Sequence, residues 1–130
     1  RESLFKLKWF GWIIAALGAF PINRESGLSG VKKTLKRLKN GEMVLIFPEG
    51  TRSWDGKLLP FKKGGFVIAQ DGELPILPVT ICGSHQRLPK GSAAFSSGDI
   101  EIVIHPPMAS GALPLDDLMT DVRNSIASSL

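Results

Sequence analysis

The sequence predicts an α/β fold, a largely parallel or mixed β-sheet flanked by helices. Three observations predict it. Met43–Phe47 is a wholly apolar run, too short for an ordinary helix and without alternation, so it reads as a strand buried on both faces. Stretches with helical spacing and stretches with strand character follow one another as helix, strand, helix, strand, helix, strand, strand, helix. A chain of 130 residues with 43% apolar and 22% charged residues fits one domain with one core, here taken over 1–130.

The elements follow in order. Residues 3–17 form the first expected helix, capped by Ser3. Its apolar set, including Leu4, Phe5, Trp9, Phe10, Trp12, Ile13, Ile14 and Leu17, is wider than a single stripe. Two readings stand for it: a core helix, or one lying at a membrane interface, which Lys6 and Lys8 beside the aromatics would suit. Gly18 ends it, 20–22 reads as a very short strand, and Arg24 follows in a loop just past that strand's end. Leu28–Asn40 is the clearest helix: Leu28, Val31, Leu35 and Leu38 share a face, and Gly41 is placed as a left-handed stop. Its other face carries Lys32, Lys33, Lys36, Arg37 and Lys39. This is either a solvated face or a surface for an anionic lipid, an acidic carrier protein or a nucleotide phosphate.

Ligand sites in open α/β sheets collect past the carboxyl ends of the strands, which is where Pro48-Glu49-Gly50-Thr51-Arg52-Ser53 falls. Gly50 allows close approach of backbone to ligand, and Arg52 offers a planar fork for phosphate or carboxylate. Glu49 can orient Arg52 or accept a hydrogen bond from a substrate hydroxyl. Trp54-Asp55-Gly56-Lys57 reads as a turn. Lys62-Lys63-Gly64-Gly65 opens a short helix, Phe66–Asp71, closed by Gly72; its start weakly resembles an anion site. Leu74–Cys82 is the next strand, regular over Val79–Cys82, with Pro75 and Pro78 making its front end an edge or an irregular loop. Gly83–Gly98 is a polar surface excursion, Ile100–Ile104 an alternating strand, and Pro114–Leu130 the last helix.

Charge is uneven. Residues 1–70 hold 13 Lys and Arg against 5 Asp and Glu, whereas residues 71–130 hold 3 against 7, giving +8 and −4. A basic half points to an anionic partner. Cys82 is the only cysteine, which rules out an internal disulfide, and two histidines without a cysteine cluster predict no structural zinc. No stretch reaches the ~18 apolar residues of a membrane span. The apolar run before Pro21 reads on into the αβ pattern rather than as a signal peptide. The chain opens on Arg1-Glu2-Ser3, without methionine, as a piece of a longer protein would.

Three blocks carry a resemblance. Phe47-Pro48-Glu49-Gly50-Thr51-Arg52-Ser53 resembles the FPEGTRS signature of the glycerolipid acyltransferases, which include the lysophosphatidate acyltransferases. Gly18-Ala19-Phe20-Pro21-Ile22-Asn23-Arg24 resembles the block before it. Leu74-Pro75-Ile76-Leu77-Pro78-Val79 resembles the last block, with Leu74 in place of a valine. The intervening Ser53–Leu58 and Phe61–Gly64 also match the family's continuation. The resemblance implies that Arg24, Glu49, Gly50, Thr51 and Arg52 bind the glycerol-phosphate end of a lysophospholipid acceptor, and that Pro75, Ile76, Leu77, Pro78 and Val79 shape the acyl-donor side.

The family's first block, a histidine with an aspartate five residues on, is not present in residues 1–130. The resemblance implies that it lies upstream of Arg1 together with the fold's first strand and helix, which are then missing here, so no catalytic residue is assigned within the chain. The fragment is expected to be inactive and to expose an apolar sheet edge or face. His85 and His105 have no aspartate four or five residues on, and Ser53 has no His-Asp pair to make it a nucleophile. The implied chemistry is acyl transfer from acyl-CoA or acyl-carrier protein to lysophosphatidate, giving phosphatidate, with no cofactor beyond that co-substrate and no metal. The implied setting is the cytoplasmic face of a membrane, without nucleic acid. The rival is a non-catalytic basic module binding acidic membrane or nucleic acid. The 32–39 face lacks the interleaved aromatics usual in nucleic-acid readers.

Overall fold

The computed structural model describes residues 27–92 and 94–130. The expected helix over 3–17, the strand over 20–22 and Arg24 lie outside the described residues. The chain divides into two compact units, Arg1–Val44 and Leu45–Leu130.

In the first unit, α1 spans Gly27–Lys39. Its length and stop follow from the sequence: the apolar spacing runs until Gly41, whose φ of +83° closes the helix at a conformation that suits glycine. Lys36, Arg37 and Lys39 fill its last turn, where positive charge complements the exposed carbonyls. Arg37 pairs with Glu42 at 3.5 Å just beyond the end.

The second unit contains α2 (Gly64–Asp71), β1 (Val79–Cys82), α3 (Ser84–Arg87), β2 (Glu101–Ile104), a 3₁₀ turn (Ser110–Ala112) and α4 (Leu115–Ala127). Its core is small: buried Phe66, Leu118 and Val122, with Phe61, Ile76, Met108, Leu115, Met119 and Ile126 packed around them. Leu115, Leu118, Val122 and Ile126 recur at helical spacing, so α4 lays one stripe against α2 and the sheet. Polar ties complete the seam. Gln70 Nε2 donates to the carbonyls of Ser110 (3.0 Å) and Leu113 (2.9 Å), and buried Ser110 donates its hydroxyl to Ala69 O.

Helix α2 ends in a way the sequence does not announce. Gly72 caps it in a right-handed conformation, and the left-handed position is taken by Glu73, with φ +52°. Leu74 N–H donates to Ala69 O and Glu73 N–H to Gln70 O, the paired bonds of a Schellman ending.

The sheet is an antiparallel pair, with Val79 opposite Ile104, Thr80 opposite Val103, Ile81 opposite Ile102 and Cys82 opposite Glu101. Thr80 is buried and donates to Ile126 O at 2.8 Å, so its 2.8 Å contact with His105 Nε2 is one that the imidazole donates. Cys82 Sγ reaches Ser129 O, so one face of the sheet is tied to α4 and its end. The other face, Ile81, Ile102 and Ile104 with Leu77 and Ile100, is exposed. This is the apolar sheet face expected from the sequence.

Helices and strands share the chain, as an α/β reading requires. The expected buried parallel strand over Met43–Phe47 is not formed among the described residues. The segment has no ladder, and Met43 is 96% and Phe47 65% exposed. Apolar sequence makes a strand only where a neighbouring strand takes its N–H and C=O groups, and none does so here.

Candidate functional site

The residues picked out by the sequence sit on a tight turn followed by an exposed loop. Pro48 presets the chain direction, and Gly50 N–H closes the turn on Phe47 O at 3.0 Å. Gly50 adopts φ +71°, and a Cβ there would lie 3.0 Å from Lys62 Nζ. The positive φ favours glycine here, and the Lys62 side chain crosses close over the position. Lys62 is brought there by its own N–H, which donates to Pro48 O at 2.9 Å.

Glu49 is half-buried, and its Oε2 accepts the Leu59 N–H at 2.7 Å. The Leu59 carbonyl in turn accepts Arg123 Nη1 at 2.7 Å, while Arg123 Nη2 donates to Leu58 O at 3.1 Å. The Arg123 guanidinium also lies 5.4 Å from the Phe61 ring centroid. The Leu59 peptide is thus held from both sides, by the turn and by α4. Of the two roles left open for Glu49, orienting Arg52 is not observed: among the described residues the carboxylate serves a backbone amide, and no ion pair joins it to Arg52. Its second oxygen remains for a hydroxyl donor.

Arg52 is exposed. Its Nη1 contacts Leu88 O at 3.3 Å and Pro89 O at 3.5 Å, both long and weak. Nη2 and Nε have no partner among the described residues, so a two-pronged donor face stays available to an anion. Thr51 Oγ1 approaches only the Arg52 carbonyl, at 3.4 Å. Trp54 is 72% exposed, with Lys90 Nζ 4.8 Å from its ring centroid.

The second predicted group lies elsewhere in the unit. Ile76 makes a two-way bridge with Met108, donating at 2.9 Å and accepting at 2.8 Å. Buried Pro78 offers its carbonyl to His105 N–H at 3.1 Å. The two prolines flank a single laddered residue, so the front end of the segment is pinned despite its missing donors. Leu77 is half-exposed, and Val79 opens β1.

The two histidines have other neighbours among the described residues. His105 Nε2 is committed to Thr80, the ring of His85 packs on Gly56, and no Asp or Glu pairs with either among the described residues. Sequence reasoning missed Arg123 and the 85–91 loop, since both act mainly on backbone groups distant in sequence. On α1, Lys32, Leu35, Lys36, Lys39 and Asn40 line a shallow depression of about 410 Å³. No helix among the described residues is long and apolar enough to cross a membrane.

A family model described as Acyltransferase matches residues 1–82. The chain is 36% identical to the chloroplastic 1-acyl-sn-glycerol-3-phosphate acyltransferase of Brassica napus, over 100% of this chain and 38% of that protein. It is 37% identical to the 1-acyl-sn-glycerol-3-phosphate acyltransferase of Bacillus subtilis, over 83% of this chain and 52% of that protein. The crystal structure of the 1-acyl-sn-glycerophosphate acyltransferase of Thermotoga maritima superposes with a TM-score of 0.73 and 36% identity, covering 77% of this chain and 42% of that one. The chain thus spans between about a third and a half of the length of these relatives.

Proposed function

The chain belongs to the acyltransferase family, and from that premise we propose that the protein transfers a fatty acyl group from acyl-CoA or acyl-carrier protein to the free hydroxyl of lysophosphatidate, giving phosphatidate. The observation that carries this reading is Arg52: an exposed guanidinium on a glycine turn, with Nη2 and Nε left to grip a phosphate. Glu49, Gly50 and Thr51 complete the acceptor side, Glu49 through the oxygen not bound to Leu59; the resemblance gives Arg24, which lies outside the described residues, a phosphate-binding role as well. Pro75, Ile76, Leu77, Pro78 and Val79 form the acyl-donor side. The names of the relatives, all acting on 1-acylglycerol phosphates, support the choice of acceptor.

In the reaction the hydroxyl oxygen attacks the thioester carbonyl carbon. A C–O bond forms, the C–S bond breaks, and the hydroxyl proton passes through a general base to the departing thiol. The base is the histidine of the family's histidine–aspartate block, which residues 1–130 do not contain. The step needs no cofactor beyond the thioester. Met43–Phe47 takes its place in a largely parallel or mixed sheet when a neighbouring strand covers it. The protein works at the cytoplasmic face of a membrane, where the lysines of α1 meet anionic lipid.

The test is thiol release from an acyl thioester with lysophosphatidate present, compared between residues 1–130 and a chain extended upstream through the histidine block. The extended chain should turn over, and residues 1–130 should be slower by at least roughly 10²–10⁴-fold, the usual contribution of a general base. Comparable turnover would move the base inside residues 1–130. No turnover by the extended chain would overturn the proposed activity.

A further inference from the structure

The loop that carries Arg52 has little to hold it from within. Thr51–Lys57 is exposed except at Ser53, and its internal bonds are short-range: Thr51 to Arg52 O, and Lys57 N–H to Asp55 Oδ1. Among the described residues, every polar contact that leaves this loop goes to residues 88–90. Arg52 Nη1 lies against Leu88 O and Pro89 O, and Lys90 Nζ sits over the Trp54 ring.

Two glycines bring the segments together. Gly56 has φ +77°, and a Cβ there would stand 3.2 Å from the His85 ring. Gly91 has φ +88°, and a Cβ there would stand 3.2 Å from the Trp54 ring. Contact thus runs the length of the loop, at Arg52, Trp54 and Gly56.

The 85–91 segment is itself anchored. It leaves β1 through Gly83, where a Cβ would lie 2.7 Å from Asp99 O, so only glycine fits. Leu88 N–H donates to Ser84 O at 3.0 Å, Ser96 N–H to Arg87 O at 3.0 Å, and Ser96 Oγ to Gln86 O at 2.6 Å. Arg87 reaches the Ser97 carbonyl as well.

We infer that residues 85–91 are a brace that positions the Arg52 guanidinium for an anionic headgroup, with His85 and Trp54 as positioning residues that never touch the ligand. This rests on the reading of Arg52 as the acceptor-phosphate contact. The carbonyls of Leu88 and Pro89 lie at one corner of the guanidinium and, with the packing at Trp54 and Gly56, bias its orientation, leaving Nη2 and Nε for the ligand. Holding a flexible arginine before binding removes ordering cost from the binding step. A braced arginine therefore binds a phosphate more tightly than an identical free one.

The experiment is a double-mutant cycle in the full chain. Its readout is the dissociation constant of a short-chain, soluble lysophosphatidate by calorimetry, which needs no turnover and no membrane. Trp54→Ala and His85→Ala should each weaken binding roughly two- to tenfold, the lower part of the range of coupling between contacting residues. Thermal midpoints should stay unchanged, and Trp54→Phe should restore binding. In an Arg52→Ala background both substitutions should have no further effect, because their only route to the ligand has gone. Additive losses in that background would overturn the brace while leaving Arg52 as the phosphate contact. No loss from Arg52→Ala itself would overturn the acceptor reading and the brace with it.

Discussion

Arg123 is where the site turn is fastened to the rest of the second unit, and replacing it measures that fastening. Arg123→Met keeps most of the stem but removes two charged donors, those at 2.7 Å to Leu59 O and 3.1 Å to Leu58 O, and the cation over Phe61. A hydrogen bond from a charged group contributes about 1.5–3 kcal/mol, and a partly exposed cation–π contact about 0.5–1. Arg123 is only half-buried, and water can reach the freed carbonyls, so the contributions do not sum fully. The expected loss is about 2–3 kcal/mol, a large share of the roughly 5–15 kcal/mol of a typical domain. Urea unfolding followed by far-ultraviolet circular dichroism reads it as a lower midpoint at constant slope. Arg123→Lys should recover part of the loss through its charge, but not the fork that spans two successive carbonyls. A change under about 0.5 kcal/mol for Arg123→Met would refute the claim that α4 anchors the 58–61 segment, since that is the scatter of ordinary surface substitutions.

Two further outcomes follow from single features. Glu73 holds a left-handed conformation that costs a non-glycine residue about 1–2 kcal/mol, so Glu73→Gly should stabilise by about 0.5–1 kcal/mol after the greater freedom of glycine in the unfolded chain is discounted; a lower urea midpoint would contradict this. The exposed lysines of α1 should make residues 1–130 sediment with anionic vesicles at low salt and release them as salt rises, and sedimentation that ignores salt would contradict an electrostatic surface.

Local signals were legible and long-range ones were not. The α1 stretch was readable to within a residue at each end, because a 3.6-residue spacing and the Gly41 stop act within the helix. Val79–Cys82 was readable as the regular part of its strand, and Ile100–Ile104 to within one residue, because Pro78 bounds the first at its start and Pro106-Pro107 bound the second at its end. Met43–Phe47 misled, because apolar content is a property of the segment whereas a ladder depends on a partner. Arg52 was legible from the residues that surround it. Its surroundings in space were not: the contacts at Leu88 and Pro89 are carbonyl contacts, and carbonyls carry no residue signature. The same holds for Glu49, whose partner is the amide of Leu59, ten residues on.

The central claim is that Arg52 holds the phosphate of a lysophospholipid acceptor, and comparing two acceptors tests it most directly. In the chain extended through the histidine block, kcat/KM is measured for lysophosphatidate and for the monoacylglycerol that lacks the phosphate, in wild type and in Arg52→Ala. A lost charged hydrogen bond of about 1.5–3 kcal/mol corresponds to a fall of at least roughly tenfold for lysophosphatidate. Activity toward monoacylglycerol should stay unchanged, so the variant loses most of its preference for phosphate. An Arg52→Ala variant that keeps the full preference of the wild type would contradict the account.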